Sequence, residues 1–376
     1  MYGQWVGTLT NGQNESIQFS AVLNLDDRGA TAEGPMFVNF GDQHAPPGIA
    51  FFLTIPQSKT NKFSLTLDKS SYFPIDVLTG LTYSWAEYDK KFPENPFVNS
   101  VKLSGERKGT EFQIKIGDEP TAATIKLHQR LQTSSSLASE RLTWGEFKEK
   151  VNGLDSRRYI FRGQNQTWNL RTSFHRTKRS NLFRFISEDI DTLHRRLSGQ
   201  TKHVFDLNVA TQNGAFFNML QHHGYPTPIL DWSHSPYVSA FFAFRGLSSE
   251  KSKDKRNQHV RIFVFDRQEW GRDYSQITTL NIHTPHFSVH EFMALNNDRL
   301  IPQQGIATVT NVDDIEKYIA GREKEQNKIY LTAIDIPWSA RNEVMKDLNF
   351  MGITAGSLFP GIDGACEEIK ERLFNI

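Results

Sequence analysis

HQRLQTSSSLASER, residues 128–141, divides the chain into two parts whose side chains repeat differently. Before it, apolar residues recur at every second position. Ile17, Phe19, Ala21, Leu23 and Leu25 alternate with mostly polar neighbours, and Phe63, Leu65 and Leu67 do the same. That period belongs to half-buried strands. YGQWVGTL (2–9), IAFFLTI (49–55), LTYSWAEY (81–88), VNSVKLSG (98–105) and EFQIKIG (111–117) read as further strands, with DDRG, NFGDQHAPPG, DVLTG and FPENP as turns and loops between them. Residues 1–130 are therefore predicted to form an antiparallel β-barrel or sandwich. This part shows no paired acids, no metal-ligand spacing and no glycine-rich phosphate loop, so binding or scaffolding is its expected task.

Residues 131–141 are polar and serine-rich, as a linker is, and after them the apolar period lengthens to about 3.6. Thr143 and Glu146 have capping-box spacing, and Trp144, Phe147, Val151 and Leu154 follow on one helical face. A helix thus opens a second domain, residues 142–376. Beyond it the pattern predicts a strand at 158–162, helices near 187–198 and 207–222, a short strand in PTPILDW, and a helix after Ser235 with Pro236 in its first turn. A strand at 259–266, a helix near 287–297, a strand at 328–336 and helices near 338–348 and 363–374 complete it, with EKSKDKRNQ (250–258) as an exposed loop. Helices and strands interleave without βαβ regularity, which indicates α+β.

The totals agree with this division. A chain of 376 residues is long for one core and comfortable for two. It holds no run of about 18 apolar residues, and MYGQWVGTLT lacks the basic start and apolar core of a signal peptide, so a cytoplasmic protein without membrane contact is expected. The single cysteine, Cys366, lies in the helical pattern GACEEIKERLF and reads as a small buried thiol. Net charge is close to zero, yet Arg157 to Lys202 holds 11 Lys or Arg against 3 acids, +8 by difference. Such a run is either a solvated helix face or a phosphate-seeking surface.

Three places hold residues suited to chemistry. In YIFRGQ (159–164), apolar neighbours put Arg162 at the end of a buried strand, and Gly163 permits a sharp turn or a close ligand. A guanidinium there needs an internal carboxylate or an anionic ligand. In LQHHGYPTPILDWSHSPYVSAFFAF (220–244), Asp231 between Leu230 and Trp232 is either an ion-pair partner or a reactive acid. Ser233 or Ser235 suits a helix cap, Phe241, Phe242 and Phe244 suit a core, and the side chains of the adjacent His222 and His223 are expected to diverge. In NNDRLIPQQGIATV (296–309), Arg299, Gln303 and Gln304 precede an apolar strand-like run, with amides fit for a sugar hydroxyl or for backbone groups. Metal chemistry is not expected: Pro285 breaks any helix that would align His283, His286 and His290, and HEFMA lacks a second histidine. Walker and GxSxG motifs are absent from the sequence.

FRGQ, LQHHGYPTPILDW, AFFAF, RLIPQQG and SLFP occur in one order, and together they resemble the FRG domain over roughly residues 142–376, where TWGEF and TSFHR also fit. Pro228 stands where that pattern usually has arginine. FRG domains resemble ADP-ribosyltransferases, and the resemblance implies an ADP-ribosyltransferase-like core and an enzyme using NAD as substrate. It further implies a toxin of bacterial phage defence or of a toxin–antitoxin system, accompanied by an antitoxin or chaperone. Carried over by motif, Arg162 holds the dinucleotide, the segment around Asp231 and Trp232 shapes the nicotinamide pocket, and Gln303 or Gln304 contacts the ribose. The same carry-over places Gly163, Gln164, His222, Thr227, Ser233 and Arg299 around the dinucleotide. Glutamine replaces the glutamate usual in the last of these roles, and an amide does not supply that charge. With the basic run beside the site, nucleic acid, RNA above all, is the expected target. Rival readings are a binding module without chemistry and a nuclease.

Overall fold

A computed structural model describes residues 1–9, 20–41, 45–57, 60–76, 79–95, 97–118, 122–130, 133–248, 252, 258–280, 282–295 and 297–374. Ile17, Phe19 and most of the loop expected at 250–258 lie outside them.

The first sheet is antiparallel throughout: β1 (Gly3–Leu9), β2 (Ala21–Asp27), β3 (Thr31–Asn39), β4 (Gly48–Pro56), β5 (Lys62–Asp68), β6 (Tyr72–Ile75), β7 (Ser100–Lys108), β8 (Glu111–Ile116) and β9 (Ala123–His128). Their order is β5-β7-β8-β9-β1-β2-β3-β4-β6. Its two edge strands, β5 and β6, are joined by a tight turn in which Ser71 N donates to the Asp68 carbonyl, 3.0 Å. A turn that short draws the edges together, and the sheet curls into a nearly closed barrel. Trp5, Phe51 and Phe112 fill it, fully buried. LTYSWAEY, expected as a strand, instead leads into the helix Trp85–Lys91, begun by a capping box of Ser84 and Glu87. Trp85, Tyr88 and Phe92 are spaced by three and four residues, and Trp85 stacks on Phe97 at 5.2 Å.

The second sheet contains β10 (Ser139–Arg141), β11 (Tyr159–Gln164), β12 (Ile229–Ser233), β13 (His259–Asp266), β14 (Phe287–His290), β15 (Gly305–Thr310) and β16 (Leu331–Pro337). The order is β10-β16-β13-β11-β12-β15-β14, with β10 parallel to β16 and every other pair antiparallel. The architecture is α+β. Thr143 and Glu146 form the expected capping box of helix Trp144–Asn152, and Ser235 caps helix Pro236–Arg245. Ser139–Arg141, within the stretch read as a linker, is a sheet strand. The helix expected near 287–297 does not form. Pro285 precedes FSVH, whose residues pair with Ala307 to Thr310 as the edge strand β14. Cys366 is exposed on helix Ile362–Phe374, not buried.

The barrel is fixed to the second sheet's helices and strands. Val22, Phe37, Ala50 and Ile75, on its outer face, share one apolar cluster with Ile160, Trp232 and Phe265. Beside them Asp26, fully buried, accepts Ser180 N (2.7 Å) and Asn181 N (3.0 Å) on Oδ1, and Arg179 Nε (3.1 Å) and Arg184 Nη1 (3.2 Å) on Oδ2.

Candidate functional site: a cleft in the divided sheet

β11 and β12 pair at one position, Phe161 with Ser233. The two strands part beyond it. A cleft of about 370 Å³ opens there, lined by Phe161, Arg162 and Gly163 on one side and by Asp231, Trp232 and Ser233 on the other. Arg162 lies within β11 rather than at its end, opposite Phe263 of β13. Its Nη1 donates to the Asp231 carbonyl at 2.5 Å, in place of the missing ladder bond. Its Nε is buried without a hydrogen-bond partner. Burial destabilises the charged guanidinium most, Asp231 offsets part of that, and Arg176 adds repulsion. Arginine nevertheless remains protonated. Gly163 serves packing: a Cβ there would meet the Ser239 carbonyl oxygen at 1.9 Å, so the missing side chain lets helix Pro236–Arg245 lie directly on β11.

Asp231 is solvent-exposed within the cleft, whose walls take away part of the water around its carboxyl. That desolvation raises its pKa, against the opposing effects of Arg162, a Gln221 hydrogen bond and His222. Helix Ala210–His222 presents Asn218 to the cleft and, one turn later, Gln221 and His222. Gln221 Nε2 donates to Asp231 Oδ2 at 2.5 Å, while Thr227 Oγ1 donates to Gln221 Oε1 and fixes which end of the amide faces the acid. Asn297 Nδ2 donates to Asn218 Oδ1 at 2.5 Å. His222 Nδ1 lies 2.8 Å from Asn297 Oδ1, and burial holds the imidazole below its ordinary pKa.

The far wall is aromatic. Phe242 meets Phe359 edge-to-face at 5.9 Å, and the Arg245 and Arg299 guanidiniums lie 4.1 Å and 5.0 Å from the Phe359 ring centre.

Of the residues singled out in the sequence, Arg162, Gly163, His222, Asp231, Trp232, Ser233, Arg299 and Gln303 line this cleft. Thr227 is fully buried and braces Gln221 from behind. Gln164, paired with Arg261 along β11, is outside the lining. Gln304 is also outside it: this exposed residue has a φ of 48°, in the tight turn that enters β15. Gln303 donates its amide to the Leu358 carbonyl at 3.0 Å, the backbone-satisfying role open to it from the start. Phe242, read as core, is a cleft wall. The His222 and His223 rings lie 5.0 Å apart instead of diverging, with only His222 among the lining residues. Asn218, Gln221, Asn297 and Phe359 were not foreseen as site residues. Helical spacing four residues back from His222 points to Asn218.

Much of the basic run is internally matched. Arg158 pairs with Asp266, Arg171 with Asp313, Arg179 and Arg184 with Asp26, and Arg195 with Asp191. The three clustered histidines have separate surroundings: His283 stacks on Phe183 at 4.5 Å, His286 Nδ1 is 3.1 Å from Ser288 Oγ, and His290 Nε2 is 2.8 Å from the Ile277 carbonyl.

The fold and cleft together define an α+β protein with a polar, arginine-bearing pocket between separated strands. Residues 157–253, which carry Arg162, Gln221 and Asp231, match the family model of the FRG domain. No curated protein and no solved structure matches the chain. Among the described residues, no helix is long and apolar enough to cross a membrane.

Proposed function

We propose that the cleft binds NAD as a substrate and that the protein is an ADP-ribosyltransferase. The observation that carries this reading is Arg162, a cation deep in the cleft with one backbone contact and an unpartnered buried Nε. A pyrophosphate offers paired oxygens that accept from such a fork of N–H donors. The parted β11 and β12 support an ADP-ribosyltransferase-like core, and Phe242 offers an apolar face for a pyridine ring.

In the reaction, the bond between the ribose carbon and the pyridinium nitrogen breaks, and its electron pair leaves with neutral nicotinamide. An acceptor O–H or N–H then bonds to that carbon and releases its proton. Asp231 takes the anionic role, since Gln303 is engaged with Leu358 and Gln304 lies outside the cleft. Its raised pKa suits it to accept the acceptor's proton. RNA is the favoured acceptor, supported by Arg157, Arg176, Lys178, Arg196 and Lys202, which form no ion pair among the described residues. A cytoplasmic toxin restrained by an antitoxin or served by a chaperone, in phage defence or a toxin–antitoxin pair, is the setting this chemistry fits.

The test is incubation with NAD labelled in each half, in the presence of RNA, DNA or protein. Nicotinamide release with a gain of one ADP-ribose on RNA is expected, falling about 10²–10³-fold in Arg162→Ala and Asp231→Asn. No release with any acceptor contradicts the reading. The engaged Gln303 amide favours one alternative, a module that binds the dinucleotide without chemistry, which calorimetric binding without nicotinamide release would establish.

A further inference from the structure

We propose that the cleft recognises a primary carboxamide, with Asn218 as hydrogen-bond donor and His222 as acceptor. The proposal rests on reading the cleft as a dinucleotide site, in which the carboxamide is that of nicotinamide.

The polarity follows from a chain of obligatory donors and acceptors. The Arg299 backbone N–H can only donate, and it donates to the Asn297 side chain at 3.2 Å, so the atom facing it is Oδ1. The same oxygen lies 2.8 Å from His222 Nδ1 and can only accept, so Nδ1 carries the proton. The opposite end of Asn297, Nδ2, must then donate to Asn218 Oδ1, 2.5 Å away. That leaves Asn218 Nδ2 as an uncommitted donor and, in the neutral ring, His222 Nε2 as an uncommitted acceptor. Neither atom has a hydrogen-bond partner among the described residues, and both residues line the cleft. Asn218 is 8% exposed and Asn297 5%, so the amides that set this polarity are shielded from competing water. Burial keeps the imidazole neutral around pH 7.

A carboxamide matches the pair, its oxygen accepting from Asn218 Nδ2 and its NH₂ donating to His222 Nε2. A carboxylate has no donor and would set an oxygen lone pair against the imidazole lone pair. A site built to satisfy both groups rejects an analogue that leaves one unpaired.

Ligand-detected NMR titration of the full chain with nicotinamide, nicotinic acid and, separately, ADP-ribose tests this. Nicotinamide should bind about tenfold or more tightly than nicotinic acid. Asn218→Asp keeps an oxygen for Asn297 and turns the cleft-facing donor into an acceptor, so it should remove that preference, read as the ratio of nicotinamide to nicotinic acid affinity in the variant. Preference in the parent requires no substitution, so a misfolded variant does not decide the matter. Equal binding of amide and acid, binding of neither, or an undiminished preference in folded Asn218→Asp overturns the proposal. ADP-ribose binding without amide preference overturns this inference alone, and amide preference without ADP-ribose binding overturns the dinucleotide reading alone.

Discussion

Asp26 and Arg162 are both charged groups set into the protein, and they are treated in opposite ways. Around Asp26, two backbone N–H groups and two arginines satisfy a fully buried carboxylate. Arg261 and Asp335 repeat the pattern between β13 and β16, with two bonds of 2.8 Å and 2.9 Å and a further one from Arg261 to Ser135. Arg162, one strand away from Arg261, has a single carbonyl and a buried Nε with nothing to bond. The Asp26 carboxylate and the Arg261–Asp335 pair take their partners from the chain itself, although Arg179 also keeps a buried Nη2 without a partner. A charge left incomplete at a cleft is available to a ligand.

The largest effect that would break this contrast is at the barrel junction. Asp26→Ala leaves two arginines and two backbone donors facing each other, and should cost about 3–5 kcal/mol of stability, read as a lower urea midpoint. An unchanged midpoint would show that the barrel is not held by this carboxylate. Arg162→Met should change stability by only about 1 kcal/mol in either direction, since little internal bonding is lost. A loss as large as that of Asp26→Ala would make Arg162 structural.

Acid sharpens the contrast further. Burial holds His175 and His283 at about 4 and His286 at about 3. The unfolded chain takes up protons on these rings near pH 6.5 while the folded chain does not, so the stability they confer is full above about pH 6.5 and falls as the solution is taken toward pH 4. Asp231 acts with the opposite sign. Its folded pKa is raised, so its stabilising contribution is present in acid and is lost as pH rises through the folded value. Asp231→Asn should therefore be more stable than the parent at pH 7, and the advantage should vanish below about pH 4. Urea midpoints across pH for parent and variant measure both trends. An Asp231→Asn variant that is less stable at pH 7 would show a structural carboxylate. The smallest effect is at Cys366→Ser, where exposure limits the change to within about 0.5 kcal/mol by thermal melting.

Local patterns were legible in the sequence where one period or one cap decided the outcome. Alternation gave β1, β5, β7 and β8, the run 259–266 gave β13, and Thr143 and Ser235 marked the helix starts at which they cap. Short aromatic segments misled: LTYSWAEY has apolar residues at both spacings, and only the Ser84–Glu87 box favours a helix. At 287–290, pairing with β15 settles the conformation, which no local signal can report. The cleft was legible at Arg162 and Asp231 because each is a charge among apolar neighbours. Its amide network was not, because Asn218 and Asn297 meet from 79 residues apart. Gln304 lies outside the cleft lining, in the turn before β15, with a left-handed backbone.

Calorimetric titration of ADP-ribose into the parent and into folded Arg162→Ala tests the central claim most directly. Binding by the parent that weakens about thirtyfold or more in the variant, with little change in melting temperature, is the predicted result. Equal affinity in the two proteins, or no binding by the parent, would contradict it.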